Sequence, residues 1–371
     1  MAAKKSLSKN IHLTREQTIK QGSFFTPQRL TRTVFDLAKE YVQPDDVVVD
    51  FGAGYGAFVS EFSELKNKIV ATDIDQEALS ELKKNFPNVK VLCENSLSDI
   101  SRKKYCGDGE GLVAVGNPPY NDVTSIYQKG KKGCVACDDS VKARDLGISF
   151  LKMYNQVGAR VVCVLHPLAY LIKKANFNSL GEFKKNYRLK SAIVFSSTEF
   201  ENIKKGNGEF PVAAACYERD ARGMDFDFIK EFSFGILGSD EKFRLSDFQT
   251  IDGIIQKYPG KESGSYEGLQ FYTLRDINAL RRNATFLDGK CSNGIKITLE
   301  NLYQYAWLEY FKETFNPPKN SWLYGNLSPF YDKAIERKDK KIELIRFVWE
   351  KKPIVQKYFS RESLEKYYGK F

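Results

Sequence analysis

Histidine is nearly absent from this 371-residue chain: only His12 and His166 occur. A mechanism built on several imidazoles, or a metal site rich in them, is therefore excluded. The seven cysteines (93, 106, 134, 137, 163, 216 and 291) are scattered and odd in number, which argues against a disulfide framework. "CVAC" at 134–137 is a single thiol pair without the second pair that a structural zinc needs, so no metal site is expected. No run of ~18 apolar residues is available to span a membrane. The opening "MAAKKSLSKNIHLTREQ" lacks the apolar stretch of a signal peptide. Free thiols in a reducing cytoplasm are the expected setting, with no membrane partner.

What is present is the composition of a globular protein: 42% hydrophobic, 28% charged, with a formal net charge of +10. That surplus is a mild electrostatic pointer toward nucleic acid or another acidic partner. Through the first two thirds, short β-branched runs alternate with helical patterns. "DVVVDFG" (46–52), "KIVATDID" (68–75), "VKVLCE" (89–94), "GLVAVGN" (111–117) and "ARVVCVLHP" (159–167) read as strands. "AFVSEFSELK" (57–66), "EALSELKKNF" (77–86) and "ARDLGISFLKMYNQVG" (143–158) read as the helices between them, the last with Leu146, Phe150, Leu151 and Tyr154 on its packing stripe. "SAIVFSS" (191–197) and "FPVAAACYE" (210–218) read as late strands. The pattern predicts an α/β fold with a mostly parallel, seven-stranded sheet, which binds ligands beyond the carboxyl ends of its strands. From about residue 235 the alternation fades and aromatics become dense, including all three tryptophans (Trp307, Trp322 and Trp349). The expected division is an N-terminal extension (1–20), a catalytic domain (21–235) and a second domain (236–371).

Two motifs carry chemistry. "VVVDFGAGYGAF" (47–58) ends a strand in Asp50 and turns through Gly52, Gly54 and Gly56, letting a ligand approach the backbone closely. A carboxylate at that strand end repels a pyrophosphate and attracts an ammonium group. Asp73 ends the next strand, where a carboxylate can accept both hydroxyls of a ribose. An ammonium at one end and a ribose at the other describe S-adenosylmethionine better than NAD or ATP. The second motif is "AVGNPPYND" (114–122). Asn117 offers an acceptor and a donor pair, Pro118 and Pro119 stiffen the path, and Tyr120 adds a flat ring. The set suits a planar group bearing an amine.

"GSFFTP" (22–27), "DFGAGYG" (50–56), "ATDID" (71–75), "ENSL" (94–97) and "GNPPY" (116–120) stand in this order, and over residues 20 to about 220 the chain resembles the N6-adenine DNA methyltransferases. Its motif order is of the gamma type, as in type II restriction-modification systems. The resemblance implies a Rossmann-like, S-adenosylmethionine-dependent catalytic domain followed by a C-terminal target-recognition domain. It implies that Thr26 and Pro27 close the cofactor's methionine end, Asp50 holds its ammonium, Asp73 its ribose, and Ile74 packs on its adenine. The acid that commonly reads the cofactor's adenine amine is replaced here by Asn95, whose carbonyl can still accept that bond. Asn117 also lies against the cofactor. Asn117 and the Pro118 carbonyl accept the two hydrogens of the target N6, Pro119 keeps the turn rigid, and Tyr120 stacks on a flipped-out base with Phe210 on its other face. Double-stranded DNA is the expected partner, and a cognate restriction endonuclease belongs to such systems, in a bacterium or a virus-infected host cell. A monomer is expected. Similar tetrads also occur in enzymes that methylate RNA adenine or protein glutamine, and a catalytically silent DNA-binding module is the remaining alternative.

The loop 121–145 carries Lys129, Lys131 and Lys132, set either against the DNA backbone or in solvent. His166 reads as a capped turn residue at the rim just after its strand, and the mechanism needs no histidine base. No "PCQ"-like stretch supplies the nucleophilic cysteine of cytosine C5 methylation. Tyr303, Trp307, Tyr310 and Phe311 have helical spacing and read as packing. "NPPKNSWLYGN" (316–326) offers Lys319, Asn320 and Ser321 to phosphates or base edges.

Overall fold

The computed structural model describes residues 26–120, 137–200, 210–247, 254–260, 266–272, 284–314 and 332–371. The chain divides into two compact units, the first running through Arg244 and the second from Leu245 to Phe371.

The first unit opens with helix α1 (Gln28–Ala38), which buries Leu30, Thr31, Val34, Phe35 and Ala38 on one face. Then follow β1 (Val47–Phe51), α2 (Ala57–Phe62), β2 (Lys68–Asp73), α3 (Gln76–Asn85), β3 (Lys90–Cys93), β4 (Leu112–Gly116), α4 (Leu146–Gln156) and β5 (Val161–Pro167). Three short helices, α5 (Ala169–Ile172), α6 (Lys174–Ser179) and α7 (Glu182–Asn186), lead into β6 (Tyr187–Ser196) and β7 (Pro211–Arg219). Asp75 and Asp145 fix where α3 and α4 begin by accepting backbone N–H groups of the first turn.

Among the described residues these strands join one sheet in the order β3-β2-β1-β4-β5-β7-β6, which then continues through β8 (Phe234–Ile236) and β9 (Ser239–Phe243), with α8 (Phe226–Glu231) between β7 and β8. Pairing is parallel from β3 to β5, and β7 runs antiparallel to both β5 and β6. This is a Rossmann-like sheet: the seven expected strands, extended by two. The hairpin of β8 and β9 hydrogen-bonds along β6 and so belongs to the first unit. The boundary accordingly falls after Arg244, beyond the 235/236 expected from the fading βα alternation.

Chain order reverses between β1 and β4, which lie side by side with Asp50 opposite Val115. Strands before the reversal build outward in one direction and strands after it in the other, leaving a crevice at their carboxyl ends. The glycine turn and the NPPY segment both open onto that crevice. Burial of Val48, Val113, Val115, Val161, Cys163, Leu165, Val212, Ala214 and Cys216 against α1 holds these strands in place.

The second unit has its own core. Strands β10 (Gln270–Tyr272), β11 (Phe286–Leu287) and β12 (Gly294–Lys296) form a three-stranded antiparallel sheet. Helices α9 (Leu302–Thr314), α10 (Lys338–Lys351), α11 (Pro353–Tyr358) and α12 (Arg361–Tyr368) complete it. Its aromatics are mostly interior: Phe271, Tyr305 and Trp307 are buried, and Tyr310 and Phe311 pack against that cluster. No helix among the described residues is long and apolar enough to cross a membrane.

Candidate active site

Asp50 is the penultimate residue of β1, 1% exposed, and neither carboxylate oxygen has a hydrogen-bond partner among the described residues. Burial, and then the nearby charge of Asp73, push its pKa well above the ordinary carboxylate value. A buried unpaired carboxylate costs several kcal/mol, a cost the fold would not sustain without a use for it. The Tyr154 hydroxyl, on the inward face of α4, is likewise buried and unpartnered among the described residues, and the charge of Asp50 adds to burial in raising it. Tyr154 was expected only to pack; its hydroxyl beside a buried acid is what spacing alone could not reveal.

Glycines shape the backbone on both sides of the crevice. Gly56 has φ +87° and starts α2, and a Cβ there would lie 3.0 Å from Leu82 Cγ. Gly116 has φ +140°, and a Cβ on it would meet Phe51 O at 2.9 Å and Asp50 Oδ1 at 3.1 Å. Strands β1 and β4 therefore meet at the crevice with no room for a side chain between them.

Asp73 closes β2. Its Oδ2 accepts the Gly54 N–H at 2.8 Å and its Oδ1 the Asp75 N–H at 2.9 Å. Burial raises its pKa, while these amide bonds pull the other way. A carboxylate has about four lone-pair positions, so acceptor capacity remains for a hydroxyl. Ile74 follows, 66% exposed, an aliphatic surface beside the crevice. Asn95 is committed locally: its Oδ1 accepts the Leu97 N–H at 3.0 Å and its amide donates to Ser98 Oγ at 3.0 Å. Gly52 lies in the same turn, its N–H donating to Thr72 O.

At the end of β4 the Asn117 amide donates to Thr26 Oγ1 at 3.1 Å, and the Tyr120 hydroxyl donates to Asn117 Oδ1 at 2.6 Å. Thr26 is buried, and Pro27 caps α1 behind it. Pro118 is buried and Pro119 half-buried. Tyr120 and Phe210 do meet, with ring centroids 6.5 Å apart, but at 82°, edge to face. A planar base between them requires one ring to turn, so the parallel sandwich expected from sequence is not the arrangement in this structure.

His166 is the penultimate residue of β5, buried in the sheet rather than set in a rim turn. Its Nδ1 donates to Pro167 O (2.9 Å), leaving Nε2 to accept from the Tyr217 hydroxyl (2.7 Å). It stacks on Tyr170 at 14°, and burial lowers its pKa to about 4, so it is neutral. Tyr170 in turn donates to Asp145, the cap of α4; neither residue stood out in the sequence. Lys129, Lys131, Lys132 and the 316–326 stretch lie outside the described residues. In the second unit, Lys340, Lys341, Lys351, Lys352 and Lys357 are ion-paired with Glu343, Glu336, Glu313, Glu309 and Asp288. These five lysines are thus matched within the unit.

These residues fit S-adenosylmethionine. The unpartnered Asp50 carboxylate matches an ammonium group, Asp73 a ribose and Ile74 an adenine face. No protein-family model matches the chain. Among curated proteins it is similar to the ribosomal RNA small subunit methyltransferase A of Thermotoga maritima, 27% identical over 195 residues that cover 49% of this chain and 65% of that protein. The enzyme of the same name from Metamycoplasma arthritidis is 25% identical over 204 residues, 49% of this chain and 76% of that protein. The chain thus spans just under two thirds of the Thermotoga relative's length. Among solved structures, the modification subunit attributed to a type I restriction enzyme of Vibrio vulnificus superposes with a TM-score of 0.43 at 15% identity, covering 62% of this chain and 51% of that one. A dimethyladenosine transferase from Plasmodium falciparum gives 0.33 at 15% identity, covering 53% and 62%.

Proposed function

We propose that this protein is an S-adenosylmethionine-dependent methyltransferase that modifies N6 of an adenine flipped out of double-stranded DNA, as a sequence-specific member of a restriction-modification system. The observation that carries the reading is the buried unpartnered Asp50 on β1, beside the strand β4 that runs directly into the Asn117–Tyr120 segment. When bound, the cofactor supplies an electrophilic methyl group on a sulfonium. Asp50 holds its ammonium, Asp73 its ribose and Ile74 its adenine. Asn117 Oδ1 and the Pro118 carbonyl accept the two N6 hydrogens and draw the amine toward tetrahedral geometry, localising its lone pair. The new N–C bond forms as the S–C bond breaks, and the N6 proton leaves to water. No covalent enzyme intermediate is required, and the neutral His166 takes no part. Positioning of this kind is worth up to ~7–11 kcal/mol. Flipping costs a few kcal/mol, offset in part by stacking on Tyr120, about 1–3 kcal/mol. Support for DNA comes from the separate second unit, which follows the catalytic unit as a recognition domain would.

A second reading, methylation of an RNA adenine, is favoured by one finding: the curated relatives are ribosomal RNA methyltransferases. Offering duplex DNA, ribosomal RNA and tRNA in parallel, with labelled cofactor and nucleoside analysis, separates the two. The DNA reading expects N6-methyladenine in DNA alone; label confined to RNA overturns it and leaves the pocket assignments intact.

A further inference from the structure

We infer that Thr26 is a positioning residue that sets which end of the Asn117 amide faces the target amine. The inference rests on the adenine-methylation reading for its consequence and on geometry for its substance.

An Asn side chain presents a carbonyl and an NH2 group of nearly equal shape, and methyl transfer to an amine needs the carbonyl. Presented the wrong way round, the NH2 would face the N–H bonds of the substrate and repel them. Asn117 has two hydroxyl neighbours, Thr26 and Tyr120, each able to donate or accept. Partner identity therefore does not fix the amide, and the two contact lengths are the observation that favours one orientation. The contact with Tyr120 is 2.6 Å, which suits O–H···O at roughly 2.5–3.0 Å and is short for N–H···O at roughly 2.7–3.2 Å. The contact with Thr26 is 3.1 Å, which suits N–H···O and is long for O–H···O. Oδ1 thus points to the ring on which the base is to stack, and Nδ2 points to Thr26.

Thr26 is well placed for this work. It is 5% exposed, and the next residue is Pro27, extended at φ −61° and ψ 150°, from which α1 begins. The apolar face of α1 is sealed against the sheet through Leu30, Val34 and Phe35. The hydroxyl is therefore held by a packed helix 91 residues away in sequence from the amide it meets. The sequence resemblance assigned Thr26 to the methionine end of the cofactor; the hydrogen bond assigns it to Asn117.

The test compares Thr26→Val, which keeps the shape and cannot accept, with Thr26→Ser, which keeps the acceptor; Thr26→Ala replaces the valine variant if that one packs poorly. Cofactor affinity is measured by calorimetry, and kcat and KM with a duplex DNA substrate at saturating cofactor. The expected result is a kcat reduced on the order of ten- to a hundredfold in Thr26→Val, cofactor affinity within about twofold of wild type, and recovery in Thr26→Ser. A valine variant that binds cofactor poorly but turns over normally when saturated would overturn the inference and return Thr26 to the cofactor. An independent readout needs no substrate: the Asn117 side-chain amide protons should exchange slowly in the wild type and Thr26→Ser, and fast in Thr26→Val. Equal exchange in all three would overturn the inference by itself. The expected exchange pattern in a protein that methylates no nucleic acid would instead sink the proposed function and leave the Thr26–Asn117 pairing standing.

Discussion

An acid buried without a partner makes the residue scale the most informative one, and Asp50 is that acid. Its raised pKa means that, without cofactor, ionising it opposes folding. The stability it permits is therefore present at low pH and is lost as pH rises through the raised value. Replacement by Asn should stabilise the cofactor-free protein by ~1–4 kcal/mol in denaturant titrations while weakening cofactor binding at least tenfold. Because an ammonium draws the carboxylate back to its charged form, wild-type binding should release protons, seen by calorimetry in buffers of different ionisation heat, and Asp50→Asn should release fewer. His166 behaves oppositely. Its folded pKa, about 4, lies below the ordinary imidazole value, so its contribution is complete at neutral pH and is lost as pH falls from ~6.5 toward 4. A shift of that size corresponds to about 3 kcal/mol, and urea midpoints measured between pH 7 and 4 should show a decline that His166→Phe flattens.

At the scale of elements, the glycine turn between β1 and α2 is the tightest constraint. Gly56→Ala places a Cβ at positive φ and against Leu82, so it should destabilise by ~1–3 kcal/mol and shift the thermal midpoint down. A midpoint unchanged from wild type would contradict the close packing of α2 on α3. The central strands were legible because fully buried parallel strands read as nearly continuous apolar runs, as 47–51, 112–116 and 161–167 do apart from Asp50 and His166. The hairpin of β8 and β9 was not, since a three-residue buried strand and a five-residue strand with four exposed polar positions carry almost no periodic signal. Asp50, Asp73 and Asn117 could be located along the chain because each lies within one residue of a strand's carboxyl end. The Tyr120–Phe210 angle, the partner of Thr26 and the burial of His166 depend on contacts between distant segments, and no spacing rule encodes those.

Over the whole molecule, two units with separate cores imply separable roles. A chain ending at Arg244 should retain a cooperative thermal transition and cofactor affinity within a few-fold of full length, while losing tight, salt-sensitive DNA binding. A truncated protein that binds DNA as well as the full chain would remove recognition from the second unit. The internal pairing of Lys340, Lys341, Lys351, Lys352 and Lys357 makes net charge a poor guide to where nucleic acid lies on that unit.

The central claim is that Asn117, beside the Asp50 pocket, presents an adenine amine of DNA for methylation. Its most direct test is transfer of label from S-adenosylmethionine to duplex DNA by the wild type and by Asn117→Ala, followed by nucleoside analysis and a separate check that both proteins bind the cofactor. The account predicts N6-methyladenine from the wild type and a loss of at least a hundredfold in the variant, with cofactor binding preserved. Label found only in RNA or protein, or an Asn117→Ala enzyme as active on DNA as the wild type, would contradict it.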